Sequence, residues 1–163
     1  MVGVSVRFRP IQPLDDLVAI DSFSCGNAEL DTWLRCHARR AIRESTARVY
    51  VLLTGDGELA GFYTLSTYAV VRSSDVPGNL RRNAPDPIPC TLIGQLAVDR
   101  RFQGMSAGAR LLQDAINRAL AASRIVASRA IIVDAADENA VGFYRYHGFK
   151  DLDGKGKLFL KLS

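Results

Sequence analysis

The sequence predicts a single α/β (α+β) domain spanning 1–163. Three observations carry that reading. Short apolar or alternating runs of strand type are interleaved with segments of helical periodicity, an order that belongs to mixed sheet-and-helix architectures. The chain has 163 residues, the size of one domain, and 48% of them are hydrophobic, enough for a substantial core. No internal repeat and no low-complexity linker divides it.

Each element has a local reason. Val4–Phe8 alternates and reads as a first strand, ended by Pro10 and Pro13. After a loop from Asp21 to Gly26, Asn27 is suited to cap a helix running to about Glu44. Its apolar stripe is Leu30, Trp33, Leu34, Ala38 and Ala41, while Arg35, Arg39 and Arg43 lie four apart on the opposite face with Arg40 on the flank. That basic face is either a solvated surface balanced by Glu29, Asp31 and Glu44 or a ridge for a nucleic-acid backbone. Val49–Leu53 and Leu59–Thr67 read as strands around the turn Thr54 to Gly57. Val70 to Pro89, with Pro77, Pro85, Pro87 and Pro89, reads as irregular, and Arg81 and Arg82 sit in it. Thr91–Val98 is the central strand. Ala107–Ala122 is an amphipathic helix with Leu111, Leu112, Ala115, Ile116 and Ala119 facing inward. Ala130–Ala135 is the next strand, Asn139–His147 a short helix, and Lys157–Leu162 the last strand.

Composition excludes several classes. No apolar run approaches the roughly 20 residues that span a bilayer, and MVGVSVRFRP lacks the apolar centre of a signal peptide. A cytoplasmic protein with no membrane association is expected. Cys25, Cys36 and Cys90 have no metal-like spacing and read as free thiols; with only His37 and His147 beside them, no metal site is expected. The net charge is +4, and the 21 basic residues divide into 17 arginines and 4 lysines. Arginine forks suit an anionic partner, although an arginine-rich composition equally follows from a GC-rich genome.

The chemistry concentrates at TLIGQLAVDRRFQGMSAGARLL, Thr91 to Leu112. A strand runs into a basic, small-residue turn that opens a helix. Gln103, Gly104, Met105, Ser106, Ala107 and Gly108 place backbone N–H groups and the positive end of a helix dipole at the turn, with Arg100 and Arg101 beside it, a geometry suited to phosphate. It is neither a Walker A loop nor a GxGxxG fingerprint. A second segment, DENAVGFYRYHGF (Asp137 to Phe149), follows the next strand.

Together these two segments resemble the GCN5-related N-acetyltransferases, the GNAT superfamily. Arg101, Phe102, Gln103, Gly104, Met105 and Ser106 follow its acyl-CoA loop, Arg or Gln, two residues, Gly, one residue, Gly or Ala, except at the last position. Asn139, Phe143, Tyr144, His147, Gly148 and Phe149 fit, in order, the family segment in which an Asn opens a short helix and a Tyr follows before a His-Gly-Phe turn. The resemblance implies a mixed central sheet with helices on both faces, splayed between Thr91–Val98 and Ala130–Ala135 to admit acetyl-CoA. It implies that Leu96, Ala97 and Val98 lie along the pantetheine and thioester, that Arg101 and Gln103 to Gly108 surround the pyrophosphate, and that Asn139 and Phe143 border the CoA arm. A backbone N–H near Val98 would hold the oxyanion. Tyr144 is implied as the general acid that protonates the CoA thiolate; the alternative is a phenol that only packs in the core. Tyr146 is a weaker candidate, His147 is expected to serve the turn, and Asn139 is expected to cap the short helix or bond the CoA arm.

Phe23 to Leu34, Arg48 to Leu53, Leu80 to Pro89, Gln95 to Gly104 and Asn139 to Phe149 are similar to the GNAT toxins of type II toxin–antitoxin modules. That likeness covers about residues 8 to 162. It implies acetylation of the α-amino group of aminoacyl-tRNA, a ribbon-helix-helix antitoxin, a homodimer, and a tRNA surface drawn from Arg35, Arg39, Arg43, Arg81 and Arg82. An α-amine titrates near 8 against about 10.4 for lysine, so it needs little help from a base. Two positions depart from the pattern: Gln95 stands where Arg is common, and Ser106 where Gly or Ala is usual. Acetylation of another amine, such as a protein N-terminus or a small molecule, and a decayed CoA-binding module are the competing readings.

Overall fold

The structure, a computed structural model, describes residues 6–162. In chain order the elements are β1 (Gln12–Pro13), α1 (Ala28–Arg43), β2 (Arg48–Leu53), β3 (Leu59–Val70), α2 (Gly78–Arg81), β4 (Ile88–Val98), a 3-10 turn at Arg100–Phe102, α3 (Ala107–Ser123), β5 (Ala130–Asp134), α4 (Glu138–Tyr146), β6 (Lys150–Asp151) and β7 (Lys157–Lys161). The strands form a seven-stranded mixed sheet in the order β1-β2-β3-β4-β5-β7-β6. β4 and β5 run parallel, with Thr91, Leu92 and Ile93 opposite Ile131, Ile132 and Val133, while β7 is antiparallel to both β5 and β6.

The expected first strand, Val4–Phe8, falls partly outside the described residues; within them Phe8 makes only an isolated bridge to Thr54. The ordered edge strand is instead β1, two residues paired to β2. Pro13 has no N–H to give a ladder, and the sheet edge tolerates that loss. The stretch expected to be irregular is more structured than its prolines suggest. β3 continues to Val70, Pro77 precedes the single turn of α2, and β4 starts at Ile88. Val76, Leu80, Ala84 and Ile88 from this stretch are all buried.

The chain packs as two compact units, Met1–Thr64 with Gln95–Ala115, and Leu65–Gly94 with Ile116–Ser163. In the first, Leu34 and Ala38 of α1 meet Val49, Val51 and Leu53 of β2, Leu59 and Phe62 of β3, and Ala97 of β4. Leu14, Val18, Ile20 and Phe23, from the segment before α1, close the same core. Trp33 lies parallel to Phe62, with centroids 6.1 Å apart. The Asn27 side chain caps α1 through the N–H groups of Glu29 and Leu30. In the second unit, Val70, Val76, Leu80, Ala84, Ile88 and Cys90 pack with Ala130, Ile132, Leu152 and Phe159. Full burial of such side chains stabilises by roughly 1.5–3 kcal/mol each relative to exposure.

Gly61 sets how closely α3 approaches the sheet. A Cβ there would lie 2.7 Å from Leu111 Cδ1 and 2.9 Å from the carbonyl oxygen of Ala97. The leucine methyl can move, but the backbone oxygen can do so only if β4 shifts. Gly61→Ala is therefore expected to destabilise the protein by about 1–3 kcal/mol, as overpacking does. Urea unfolding of the two proteins measures it; an unchanged midpoint would contradict this packing.

Candidate active site

β4 loses its ladder with β5 after Ile93 and runs on for five residues, Gly94 to Val98. Leu96 and Val98 are partly exposed and Ala97 is buried. The strand's end is held from several sides. The Asp99 N–H donates to the Ala60 carbonyl at 2.8 Å, and the Arg100 N–H donates to the Ser24 carbonyl at 2.8 Å. The Asp99 carboxylate, only 2% exposed, accepts from the Ser24 N–H, the Arg101 N–H and Arg101 Nε at 2.9–3.1 Å. Burial alone would raise its pKa. The hydrogen bonds from Arg101 and Ser24, with the Arg101 charge, outweigh that and hold the carboxyl below its ordinary value.

The turn that follows uses its side chains on the scaffold. The Arg101 guanidinium bridges Asp99 and Glu58 and lies 5.1 Å from the Phe102 ring centroid. Gln103 Nε2 donates to the carbonyls of Cys25 and Val98, both at 3.0 Å. What the turn offers a ligand is backbone. The first intrahelical bond of α3 runs from the Arg110 N–H to the Ser106 carbonyl at 3.1 Å, so the N–H groups of Ala107, Gly108 and Ala109 precede the helical ladder. Gly104, at φ +80°, has nothing within 4 Å of the Cβ position, and Met105 is exposed. Ser106 has φ +62°, the left-handed region where a side chain costs roughly 1–2 kcal/mol. The position where the family pattern carries Gly or Ala thus has the backbone conformation that favours glycine.

Tyr144 sits on α4. Asp137, rather than Asn139, caps this helix: its Oδ1 accepts the Ala140 N–H at 2.8 Å. Asn139 is exposed in the first turn, and capping is one residue pair removed from the expectation because Asp137 already occupies the extended N-cap conformation. The other end explains the His-Gly-Phe sequence. The Gly148 N–H donates to the Arg145 carbonyl and the Phe149 N–H to the Tyr144 carbonyl, each at 3.0 Å, with Gly148 at φ +95°. This is a Schellman closure. It brings the Phe149 ring 5.3 Å from the Tyr144 ring, while Phe143 lies 5.3 Å away on another side. Tyr144 is buried, and burial pushes its phenol pKa well up, so the hydroxyl is protonated throughout the neutral range. Tyr146 is 85% exposed.

The candidate tRNA arginines divide. Arg39 donates to the carbonyls of Asp15 and Val18 and pairs with Asp16, tying the segment before α1 to the helix. Arg35 and Arg43 are exposed on α1. Arg81 reaches the Ser73 carbonyl at 3.4 Å, and Arg82 is exposed. Sequence reasoning missed Asp99, Ser24 and Gly61; the Asp in LAVD was the one visible signal, a carboxylate directly after an apolar strand. Among the described residues no group of His, Cys, Asp and Glu is arranged to hold a metal, and no helix is long and apolar enough to cross a membrane.

β4 runs on past its ladder with β5 into a small-residue turn that opens α3, an arrangement suited to an acyl-CoA-dependent transferase. Residues 14–149 match the Acetyltransferase (GNAT) family, and the chain belongs to that family. It is 40% identical over 142 residues to the tRNA-acetylating toxin of Mycobacterium tuberculosis (strain ATCC 25618 / H37Rv), covering 87% of this chain and 82% of the relative. Its fold is similar to AtaT complexed with acetyl-methionyl-tRNAfMet, at 30% identity and TM-score 0.85, covering 94% of each chain. It is similar, too, to a Tyr-to-Phe mutant of AtaT bound to acetyl-CoA and the C-terminus of the antitoxin AtaR, at 29% identity and TM-score 0.81, covering 95% of this chain and 93% of that one.

Ser106 and the three cysteines each lead to a measurable expectation. Ser106→Gly removes the left-handed strain but restores freedom to the unfolded chain, so a net gain of about 0.5–1 kcal/mol is expected in chemical denaturation; a loss of stability would mean that the hydroxyl is needed. The three cysteines are free. Burial pushes the Cys25 thiol up to about 11, helped by the Asp31 carboxylate, and burial pushes Cys90 up to about 11. At pH 8 iodoacetamide is expected to modify exposed Cys36 and spare both. The native state also keeps protons that unfolded thiols release near 9.0, so this stabilising contribution is complete below pH 9 and is lost as pH rises through 11. Urea midpoints at pH 8 and pH 10 report it, with the lower one expected at pH 10.

Proposed function

We propose that this protein is a toxin acetyltransferase that moves an acetyl group from acetyl-CoA to the α-amino group of aminoacyl-tRNA and so blocks translation. The observation that carries the reading is the 40% identity to a tRNA-acetylating toxin across 87% of this chain. The turn fits a CoA diphosphate: three N–H groups ahead of the α3 ladder, the Ser106 hydroxyl, and open space at Gly104 answer an anion that must approach backbone closely. Gln103 and Arg101 hold the turn in shape, and their contribution to CoA is positional.

Acetyl-CoA supplies an acyl carbon activated as a thioester. The backbone of Leu96, Ala97 and Val98, past the end of the β4–β5 ladder, aligns the pantetheine arm and the acetyl carbonyl. The substrate's neutral α-amine forms the new C–N bond as the C–S bond breaks. The electron pair leaves on sulfur, Tyr144 gives its hydroxyl proton to that sulfur, and the amine's displaced proton restores the phenol. The phenol enters every turnover protonated, as a general acid must. Phe143 and Phe149 fix the ring by contact, and Asn139, exposed in the first turn of α4, borders the CoA arm.

Exposed Arg35, Arg43 and Arg82 contact the tRNA backbone. Arg81 and Arg39 add charge, although Arg39 is mainly committed to its own scaffold. The chain acts as a homodimer and is neutralised by a ribbon-helix-helix antitoxin; the antitoxin C-terminus bound to AtaT supports an antitoxin as partner. Gln95, where Arg is common, favours acetylation of another amine as the second reading. Purified protein, radiolabelled acetyl-CoA and total charged tRNA separate the two. Label on the aminoacyl group, reduced by about 10²–10⁴-fold in Tyr144→Phe, is expected if the phenol is the acid. Label confined to proteins or polyamines would overturn the tRNA reading, and an undiminished rate in the mutant would remove Tyr144 from the chemistry.

A further inference from the structure

Within β4 one amide is held by a side chain of the neighbouring strand. The Gln95 N–H donates to the side-chain hydroxyl of Thr64, at 3.0 Å. Thr64 lies on β3, the neighbour of β4 in the sheet, and is 3% exposed. Two residues earlier, Ile93 is the last β4 residue in register with β5. The strand therefore ends its ladder with β5 on one side and takes a side-chain hydroxyl bond on the other within three residues. Further along, the Val98 carbonyl is held by Gln103 Nε2 and the Asp99 N–H by the Ala60 carbonyl. Leu96, Ala97 and Val98 lie between these two anchors.

We propose that Thr64 is a positioning residue for acetyl transfer: its hydroxyl, by accepting the Gln95 N–H, sets the orientation of the Leu96–Val98 backbone that meets the acetyl thioester. The inference rests on the assignment of that segment to acetyl-CoA. A hydroxyl on a Cβ stands off the β3 backbone, so its bond fixes the Gln95 peptide from a side-chain position. The peptides after it inherit that orientation. Thr64 touches neither substrate nor CoA in this account. It contributes through geometry, and reacting groups tolerate little misplacement: about 1 Å costs on the order of 100-fold in rate.

Thr64→Val keeps the side-chain shape and removes the acceptor, and Thr64→Ser keeps the acceptor and removes a methyl. Both are compared with the unmutated chain in steady-state acetylation of charged tRNA and in binding of acetyl-CoA by calorimetry. Thr64→Val is expected to lower kcat by about tenfold or more while changing acetyl-CoA affinity by no more than about threefold, and Thr64→Ser is expected to restore kcat to within about threefold. Equal kcat in Thr64→Val and the unmutated chain overturns the proposal. So does an equal loss in Thr64→Ser, which would make the methyl's packing the cause. Failure of the unmutated chain to acetylate tRNA overturns the substrate reading instead. Amide NMR then decides Thr64 without turnover. On saturation with acetyl-CoA, the shift changes at Leu96, Ala97 and Val98 are expected to differ in Thr64→Val and to match the unmutated chain in Thr64→Ser. Identical changes in all three proteins overturn the proposal.

Discussion

The Asp99 carboxylate is the constraint on which the candidate site depends. Three donors converge on it: two backbone N–H groups, from Ser24 and Arg101, and the Arg101 guanidinium. Hydrogen bonds to a charged group contribute roughly 1.5–3 kcal/mol each, more than a typical surface ion pair. The same residue joins the end of β4 to the segment before α1, because Arg100 donates its N–H back to Ser24. Gln103 repeats the connection one turn later through Cys25 and Val98. Cys25 is in turn tied to α1, its N–H donating to the buried Asp31 carboxylate at 2.9 Å. A polar chain therefore runs from α1 through the Ser24–Cys25 segment to the mouth of the turn. It frees the backbone of the turn for a ligand by assigning the turn's side chains to the scaffold.

Backbone conformation does the second part of the work. Gly104 and Ser106 place left-handed residues just before α3, and Gly148 places one just after α4. At the first helix this arranges donors ahead of the ladder. At the second it closes the carbonyl end and turns Phe149 onto Tyr144. Ser106 is the strained member of the set, consistent with strain collecting where a ligand must come close to backbone.

Much of this was legible in the sequence, and the exceptions have physical causes. α1, β2, α3, β5, α4 and β7 were found within a residue or two, since each has a clear period and a cap or turn residue at its boundary. β1 and β6 have two residues each and carry no period at all. α2 was hidden because prolines read as loop, although burial of Val76, Leu80 and Ala84 makes that stretch part of a core. The turn and the Tyr144 helix were visible as motifs. The side chains' true partners were not: Arg101 and Gln103 match a CoA pattern in sequence, but what they hold is fixed by Glu58, Cys25 and Asp99, residues up to 78 positions away. Arg39 likewise shared a helical spacing with Arg35 and Arg43 yet serves the preceding segment. Asp137 displaced Asn139 as the cap because both are good cap residues and local sequence does not rank them.

The aminoacyl end of tRNA is where the acetyl group of this family fold is expected to go. The most direct measurement is mass spectrometry of aminoacyl-adenosine released by ribonuclease from the tRNA of cells expressing this chain. The account predicts N-acetyl-aminoacyl-adenosine with the acetyl group on the α-nitrogen, present with the chain and absent without it. Unmodified aminoacyl-adenosine, in cells whose proteins or small amines have gained acetyl groups, would contradict it.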